Sequence, residues 1–191
     1  MRHRISLKRL LIIFAICYLP FAILGCGYTT RSAISTKYKT VYIPPFLNKI
    51  DIANESSTGN KYTIYHPGLE SDVTKGVSNK FLFDGNIRPV KSEAADVTLK
   101  GELVDYRRDA LRYDDSSEVA EYRISVSVNL KLWDNRKNEL IWEENGFTGI
   151  ADYFPTTSTL LNVTKKTDDQ AISDAVVDLA RRIVERSVEE W

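Results

Sequence analysis

Apolar and polar residues alternate along several stretches of the chain, with the two-residue period that is typical of β-strands. The predicted strands cover residues 38–43, 87–91, 96–106, 118–133 and 140–153. In the longest of them the apolar side chains are Tyr122, Ile124, Val126, Val128, Leu130 and Leu132. A polar turn over residues 134–138 separates this strand from the next, so the two are predicted to form a long antiparallel hairpin.

Two other segments repeat their apolar residues at the period of an α-helix. The first helix carries Leu69, Val73, Val77 and Phe81, and the second, over residues 168–190, carries Ile172, Val176, Leu179, Ile183 and Val184. The order of strand, helix, four strands and helix predicts an α+β fold. Two helices should pack on one face of a mixed, mainly antiparallel four- to five-stranded sheet.

Glycine and proline residues refine this prediction. Pro89 lies inside the strand over 87–91, which is therefore predicted at an edge of the sheet. Gly101 indicates a bulge or close packing in the next strand, and Gly76 is expected to let the first helix approach the sheet closely. Residues 49–65 form a long polar loop, of a length that in compact domains is usually functional or mobile.

The N-terminal segment has the layout of a bacterial export signal. Four basic residues, Arg2, Arg4, Lys8 and Arg9, precede an apolar run over residues 10–25 that contains Pro20. This run of 16 residues is shorter than the roughly 20 that span a bilayer as a helix. A transmembrane anchor or an ordinary cleaved signal is the alternative, and the proline, the short run and the small residue before a cysteine argue against both.

The run ends in Ile23-Leu24-Gly25-Cys26, which resembles the lipobox of bacterial lipoproteins. We therefore predict a signal peptide over 1–25, acylation of Cys26, a tether over 26–37 and one domain over 38–191. The second mature residue is not Asp, the residue that in the usual sorting rule retains a lipoprotein at the inner membrane. The predicted location is the periplasmic side of the outer membrane, with the protein held there by its lipid anchor.

Composition excludes several classes of function. The leader holds four of the 26 basic residues and none of the 26 acidic ones, so the remaining chain has 22 against 26 and a net charge of −4. Such a chain has no basic field for bulk binding of nucleic acid. Cys17 leaves with the leader, and His66 is the single histidine beyond it. No nucleophile–base set, cofactor loop or clustered metal ligands are present, so the chain is not expected to be an enzyme or to need a cofactor.

The mature chain resembles the LPS-assembly lipoprotein LptE family in the order of several short motifs. These are residues 25–28 at the lipobox, 41–48 at the first strand, 95–103 after the first helix, 121–123 opening the long strand with Asp134 closing it, 140–142 on the return strand, and Trp191 at the end of the last helix. The chain departs from the family pattern at residues 49–65, where the family connection is shorter.

This resemblance implies a role without catalysis. LptE-like proteins sit inside the large outer-membrane barrel LptD, plug it, help it to assemble and contact lipopolysaccharide on its way to the surface. The implied partners are thus an LptD-like β-barrel and lipopolysaccharide. A plug of this kind should be a compact domain with a polar surface, because the interior of a wide barrel is polar.

Two groups of basic residues are candidates for contact with the phosphates of lipid A. Arg107, Arg108 and Arg112 are predicted in the turn after the strand over 96–106, and Lys131, Arg136 and Lys137 lie at the other end of the hairpin as a weaker candidate. The alternative for the first group is a solvated hairpin tip, in which Asp105 and Asp109 neutralise the first two arginines.

A second class of outer-membrane lipoprotein shares part of the motif order. Activators of peptidoglycan synthases and curli-secretion-like lipoproteins also place a Pro-Phe-x-Asn segment before the first helix. A protein of that class would regulate a periplasmic enzyme rather than plug a barrel. The Gly25-Cys26-Gly27-Tyr28 segment and the terminal Trp191 favour the LptE family.

Overall fold

A computed structural model describes residues 37–50 and 66–188, and it confirms the α+β class. The strands are β1 (Thr40–Tyr42), β2 (Leu47–Asn48), β3 (Arg88–Val90), β4 (Val97–Tyr113), β5 (Val119–Asp134), β6 (Glu139–Pro155) and β7 (Lys165–Lys166). The helices are α1 (Leu69–Asp84) and α2 (Asp168–Val188). The predictions on the leader, on Cys26 and on most of the tether and the 49–65 loop lie outside the described residues, as does Trp191.

The strands form one mixed sheet of seven strands in the order β3-β1-β4-β5-β6-β7, with β2 also paired to β4. The three long strands β4, β5 and β6 are antiparallel, which confirms the predicted hairpin between β5 and β6. The short strands all pair in parallel. The sheet therefore has more strands than the predicted four or five, because β2 and β7 are two residues long and too short to show any alternation.

Strand β4 runs to Tyr113, well beyond its predicted end at residue 106. A register shift between Leu103 and Asp105 changes which residues face each side of the sheet, and so it interrupts the alternation that marks a strand. Arg107, Arg108 and Arg112 consequently lie within β4, and their predicted placement in a turn is wrong. The turn follows at residues 114–118, where the Asp114 carboxylate accepts the backbone N–H groups of Ser116 and Glu118.

Both helices pack on the same face of the sheet and bury the core between them. The eight predicted contact residues are all buried, namely Leu69, Val73, Val77, Phe81, Ile172, Val176, Leu179 and Ile183. They meet the apolar residues of the central strands, among them Leu99, Val126, Val128 and Leu130, which are fully buried. We call this side of the sheet the helix face, and the opposite side the open face.

Two glycines allow close packing, one of them against an unexpected neighbour. A β-carbon at Gly76 would lie 3.0 Å from Cγ1 of Val176, so this glycine brings α1 close to α2 rather than to the sheet as predicted. A β-carbon at Gly101 would collide with the ring of Phe46, which lies directly on the glycine. The prediction of close packing at Gly101 is therefore confirmed.

The edge position predicted for the strand containing Pro89 is also confirmed, since β3 ends the strand order. The N–H of Arg88 donates to the carbonyl of Lys39 at 2.9 Å, so the next residue directs its backbone away from β1. That residue is proline, which has no N–H to donate. This free edge thus lacks a donor at its centre, which disfavours pairing with a further strand.

Candidate interaction surface

The open face of the sheet is polar along its middle strands. Because neighbouring residues of a strand point to opposite sides, the residues between the buried apolar ones all reach this face. On β5 they include Arg123, Ser125 and Ser127, and the Ser127 hydroxyl lies 2.8 Å from that of Thr148 on β6. The two serines are each only 6% exposed, whereas the arginine is at the surface. Neither described helix packs against this side. The domain therefore has one face that is closed by helices and one whose exposed charged side chains are available for a polar partner.

Arg107 and Arg112 share the open face with a third arginine, Arg123. The register places Arg107 opposite Ser125 and Arg112 opposite Glu121. Each guanidinium has a carboxylate close by: Arg107 lies 2.9 Å from Asp105, Arg112 lies 3.3 Å from Glu121, and Arg123 bonds Asp152 through two nitrogens at 2.7 and 2.8 Å. The sequence prediction missed Arg123, although the alternation of β5 puts it beside the other two.

These pairs lie at the surface, where an ion pair contributes little to stability. The exposed fractions are 38% for Arg107, 58% for Arg112 and 39% for Arg123. A guanidinium has five N–H donors, and one carboxylate does not use them all. The face can therefore present planar cations to an additional anion while its net charge remains moderate.

Arg108 lies on the other side of β4 and belongs to a partly buried network on the helix face. Its guanidinium pairs with the Asp168 carboxylate at the start of α2 and stands 4.8 Å from the ring centre of Tyr122. The hydroxyl of Tyr153 donates to the same carboxylate at 2.6 Å. The rings of Tyr122 and Tyr153 stack with centres 5.8 Å apart. The structure thus separates Arg108 from Arg107 and Arg112, with which the sequence had grouped it.

The network fastens the start of α2 to the sheet. Burial raises the pKa of the Tyr153 hydroxyl, and its bond to Asp168 raises it further. Burial is the largest single influence on the pKa of Arg108 and would lower it, but the Asp168 carboxylate together with Tyr153 and Tyr122 raises this pKa by more in total. Both groups therefore keep their protons at any physiological pH. We call Arg108, Tyr153 and Asp168 the first clamp, because they hold α2 on the sheet and do not donate or accept protons.

A second clamp holds the N-terminal end of the domain, at the opposite end of β5. The Tyr38 hydroxyl donates to the Asp134 carboxylate at 2.7 Å. The Asp96 carboxylate accepts the N–H groups of Lys39 at 2.7 Å and Thr40 at 3.1 Å. The residues Asp96 and Asp134 had contributed to the family resemblance, and here they fix the first strand to the sheet.

Asp134 provides a test of this clamp by pH. Burial would raise the pKa of Asp134, but the bonds from Tyr38 and from the N–H groups of Lys137 and Arg136 bring it below its ordinary value. A carboxyl whose pKa is lower in the folded state stabilises the fold above the unfolded value of about 3.9, and this contribution is lost as the pH falls through the folded value. We expect Asp134→Asn to lower the free energy of unfolding by about 1–3 kcal/mol at neutral pH.

The measurement is urea unfolding across the acid range. Asp134→Asn should also show a shallower loss of stability below about pH 5 than the unchanged protein. Asp115→Asn, at an exposed position of the opposite turn, is the matched control and should keep the original acid profile. An acid profile for Asp134→Asn that matches the unchanged protein would contradict the assigned role.

The weaker basic candidates lie near this second clamp, and each is paired. Lys131 is 3.1 Å from Glu143, and Lys137 is 3.2 Å from Glu139. The Arg136 guanidinium pairs with the Asp96 carboxylate, of which only 13% is exposed. Lys131 belongs to β5 while Arg136 and Lys137 belong to the following turn. Arg136 thus helps to hold Asp96 in place, and its side chain, at 62% exposed, is also the most exposed of the three.

The described residues contain no assembled catalytic or metal-binding group. Within residues 37–50 and 66–188, no three or more His, Cys, Asp or Glu side chains are placed to hold a metal ion. His66 borders a cavity of about 530 Å³ together with Asp72, Asp169 and Ser173, and its side chain makes no hydrogen bond within the described part of the chain. Neither described helix is both long and apolar enough to cross a membrane.

Comparison with known proteins adds one family and a set of similar folds. The model of the family described as "LptE: Lipopolysaccharide-assembly" matches residues 38–187. No curated protein matches the chain. Solved structures with a similar fold include uncharacterized lipoprotein B from Nitrosomonas europaea, with 15% identity, a TM-score of 0.46, and coverage of 85% of this chain and 91% of that one.

Two further solved structures have comparable similarity. Rare lipoprotein B from Shewanella oneidensis is 14% identical, with a TM-score of 0.42 and coverage of 78% of this chain and 92% of that one. The PelC L103M dodecamer from Paraburkholderia phytofirmans is 12% identical, with a TM-score of 0.44 and coverage of 80% and 88%.

Proposed function

Because the chain belongs to the LptE family of lipopolysaccharide-assembly lipoproteins, we propose that it plugs an LptD-like barrel in the outer membrane. In this role it helps the barrel to assemble and assists the passage of lipopolysaccharide to the cell surface. The function is one of binding and positioning, and it requires no catalytic group. The family match spans residues 38–187, which include every described helix and strand apart from the last residue of α2.

The open face of the sheet is the observation that carries the plug proposal. A protein inside a wide barrel meets a polar wall and water rather than lipid. The face offers charges arranged in pairs at its surface, of which Arg123 with Asp152 and Arg112 with Glu121 are examples. Such pairs can exchange hydrogen bonds with a polar wall without exposing a large apolar area. The two helices already cover the helix face, so we assign the contact with the barrel wall to the open face.

The lipid anchor is the second part of the proposal. Acyl chains on Cys26 would hold the domain at the periplasmic side of the outer membrane, and more than one chain gives stable anchoring at about 0.8 kcal/mol for each buried methylene. The basic leader, the short apolar run and the Gly25-Cys26 junction support this assignment. Mass spectrometry of the membrane-extracted protein tests this assignment, and we expect a chain that begins at an acylated Cys26.

Contact with lipopolysaccharide phosphates is the third part. Arg107 and Arg112 on the open face are the members of the first group best placed for it, while Arg108 is only 18% exposed and lies against α2. Lys131, Arg136 and Lys137 remain the second candidate group, at the other end of β5. Both groups would act through charge-assisted hydrogen bonds to phosphate oxygens.

The partner is tested by affinity purification of the full chain from outer membranes. We expect an outer-membrane β-barrel to co-purify, and depletion of the protein to reduce the amount of folded barrel and to admit large hydrophobic compounds into cells. Arg123→Ala with Asp152→Ala should weaken the association, whereas Asp115→Asn in the exposed turn should not. An intact barrel combined with reduced peptidoglycan cross-linking would instead support the synthase-activator class.

A further inference from the structure

Two large apolar side chains stand exposed at the end of α1. Leu82 is 60% exposed and Phe83 is 87% exposed. The helix buries Leu69, Val73, Val77 and Phe81, and the two residues after Phe81 turn away from that stripe. A single exposed apolar residue is ordinary, but two adjacent ones at a helix end form an apolar protrusion whose exposure to water is unfavourable.

This protrusion continues into an apolar cleft between α1 and the edge of the sheet. The cleft has a volume of about 280 Å³, and its lining includes Leu82, Tyr42, Ile43, Pro89 and Val90. Lys91 stands at the same cleft. Apolar surface thus extends from the tip of α1 to the edge strand, which itself cannot readily accept another strand because of Pro89.

Cations surround the apolar surface. The Nζ atom of Lys80 lies 5.6 Å from the ring centre of Phe83, and Arg88 and Lys91 are exposed at and just after the edge strand. None of these three forms an ion pair with a carboxylate in the described part of the chain. Two acidic residues lie close to these cations in the chain: Asp84, whose carboxylate accepts a hydrogen bond from the Asn86 side chain at 2.8 Å, and the exposed Glu93. The patch formed by Leu82, Phe83 and the three cations, which we call the α1 tip, therefore carries a positive charge.

The α1 tip lies at the end of the domain where the chain from Cys26 enters. Thr40 pairs with Arg88 in the parallel ladder, and the Arg88 N–H donates to Lys39. Arg88 follows the end of α1 by four residues. Eleven residue steps separate Cys26 from Lys37, a distance of at most about 40 Å when fully extended. An anchored domain can thus bring this end to the membrane that holds its anchor.

We propose that the α1 tip is a membrane contact: Phe83 and Leu82 enter the boundary between lipid headgroups and acyl chains, and Lys80, Arg88 and Lys91 bind phosphate groups of anionic lipids. Exposed aromatic and aliphatic side chains that are flanked by cations bind stably at that boundary. Long basic side chains can extend along an apolar surface to reach headgroups. The contact adds a second attachment to the lipid chain and fixes the orientation of the domain at the membrane. The inference rests on the anchor in the proposed function.

A cysteine-directed probe tests the contact on the full chain. Phe83→Cys is labelled with an environment-sensitive fluorophore, after purification from membranes and reconstitution into vesicles of phosphatidylethanolamine and phosphatidylglycerol. The acylated Cys26 does not react, and Cys17 leaves with the leader. Leu161→Cys is the matched control, because Leu161 is 85% exposed and lies beyond β6, at the opposite end of the domain. We expect blue-shifted emission and at least about twofold stronger quenching by nitroxide lipids at position 83 than at 161.

Charge variants separate this contact from the anchor. Lys80→Glu with Lys91→Glu should reduce the quenching at position 83, and Lys165→Glu with Lys166→Glu at the opposite end should not. Equal quenching at positions 83 and 161 in vesicle-bound protein would overturn the contact and leave the anchor intact. Quenching that appears only when a barrel protein is added would also overturn the membrane contact. It would indicate that the α1 tip binds a protein partner instead. Recovery of the unchanged protein away from vesicles would refute the anchor and this inference with it.

Discussion

Replacing Gly149 with valine is expected to lower the free energy of unfolding by about 3 kcal/mol, the upper end of the usual cost of overpacking, and to detach α2 from the sheet. Gly149 lies on the helix face of β6, where α2 crosses it most closely. A β-carbon at this position would lie 2.6 Å from both the nitrogen and the α-carbon of Leu179. These are backbone atoms of a helix, so no side-chain rotation can relieve the overlap, and the whole helix must move away from its fully buried Leu179 contact.

Urea unfolding of the purified full chain, followed by far-ultraviolet circular dichroism, measures the loss. Gly149→Ala should give a smaller loss, because it adds one methyl group instead of three carbons. Ile150→Val is the control from the neighbouring position, whose side chain is 42% exposed on the open face, and it should change stability by less than about 0.5 kcal/mol. Equal stability of Gly149→Val and Ile150→Val would show that α2 does not lie where the structure places it.

Reversing the charge of Arg107 and Arg112 together is expected to weaken lipopolysaccharide binding by about tenfold or more. A hydrogen bond to a charged group contributes about 1.5–3 kcal/mol, and a tenfold change in affinity corresponds to about 1.4 kcal/mol. Both arginines lie on the open face, and their exposure permits an approaching phosphate to bond them. Arg108 is left unchanged in this experiment because its bond to Asp168 holds α2 in place.

The comparison is with Lys131→Glu and Lys137→Glu, two exposed cations that are likewise paired with glutamates near the other end of β5. Binding of purified lipopolysaccharide is measured at low and at physiological salt, since exposed charges are screened within about 8–10 Å at the latter. An equal loss in both pairs would indicate general charge attraction. A loss only in the lysine pair would place the phosphate contact at the second group.

Features that repeat locally were determined by the sequence alone. The stripe from Leu69 to Phe81 and the stripe of α2 identify the buried side of each helix, because a helix returns to the same face every three to four residues. The alternation of β5 likewise assigned its core residues. Pro89 placed its strand at an edge, since a residue without an N–H cannot serve a central strand. Each of these conclusions depends only on residues that lie a few positions apart in the sequence.

Contacts between distant residues were decided by the tertiary structure. Tyr38 meets Asp134 across 96 positions and Arg108 meets Asp168 across 60, and no local pattern pairs them. Arg107 and Arg108 point to opposite faces because they are neighbours in a strand, and the register shift after Leu103 determines which of them reaches the open face. Local periodicity determines which side of a helix or strand is apolar. Which polar side chains share a surface depends instead on strand register and on the angles at which helices cross the sheet. Register and crossing angles are fixed only when the chain packs into its tertiary structure.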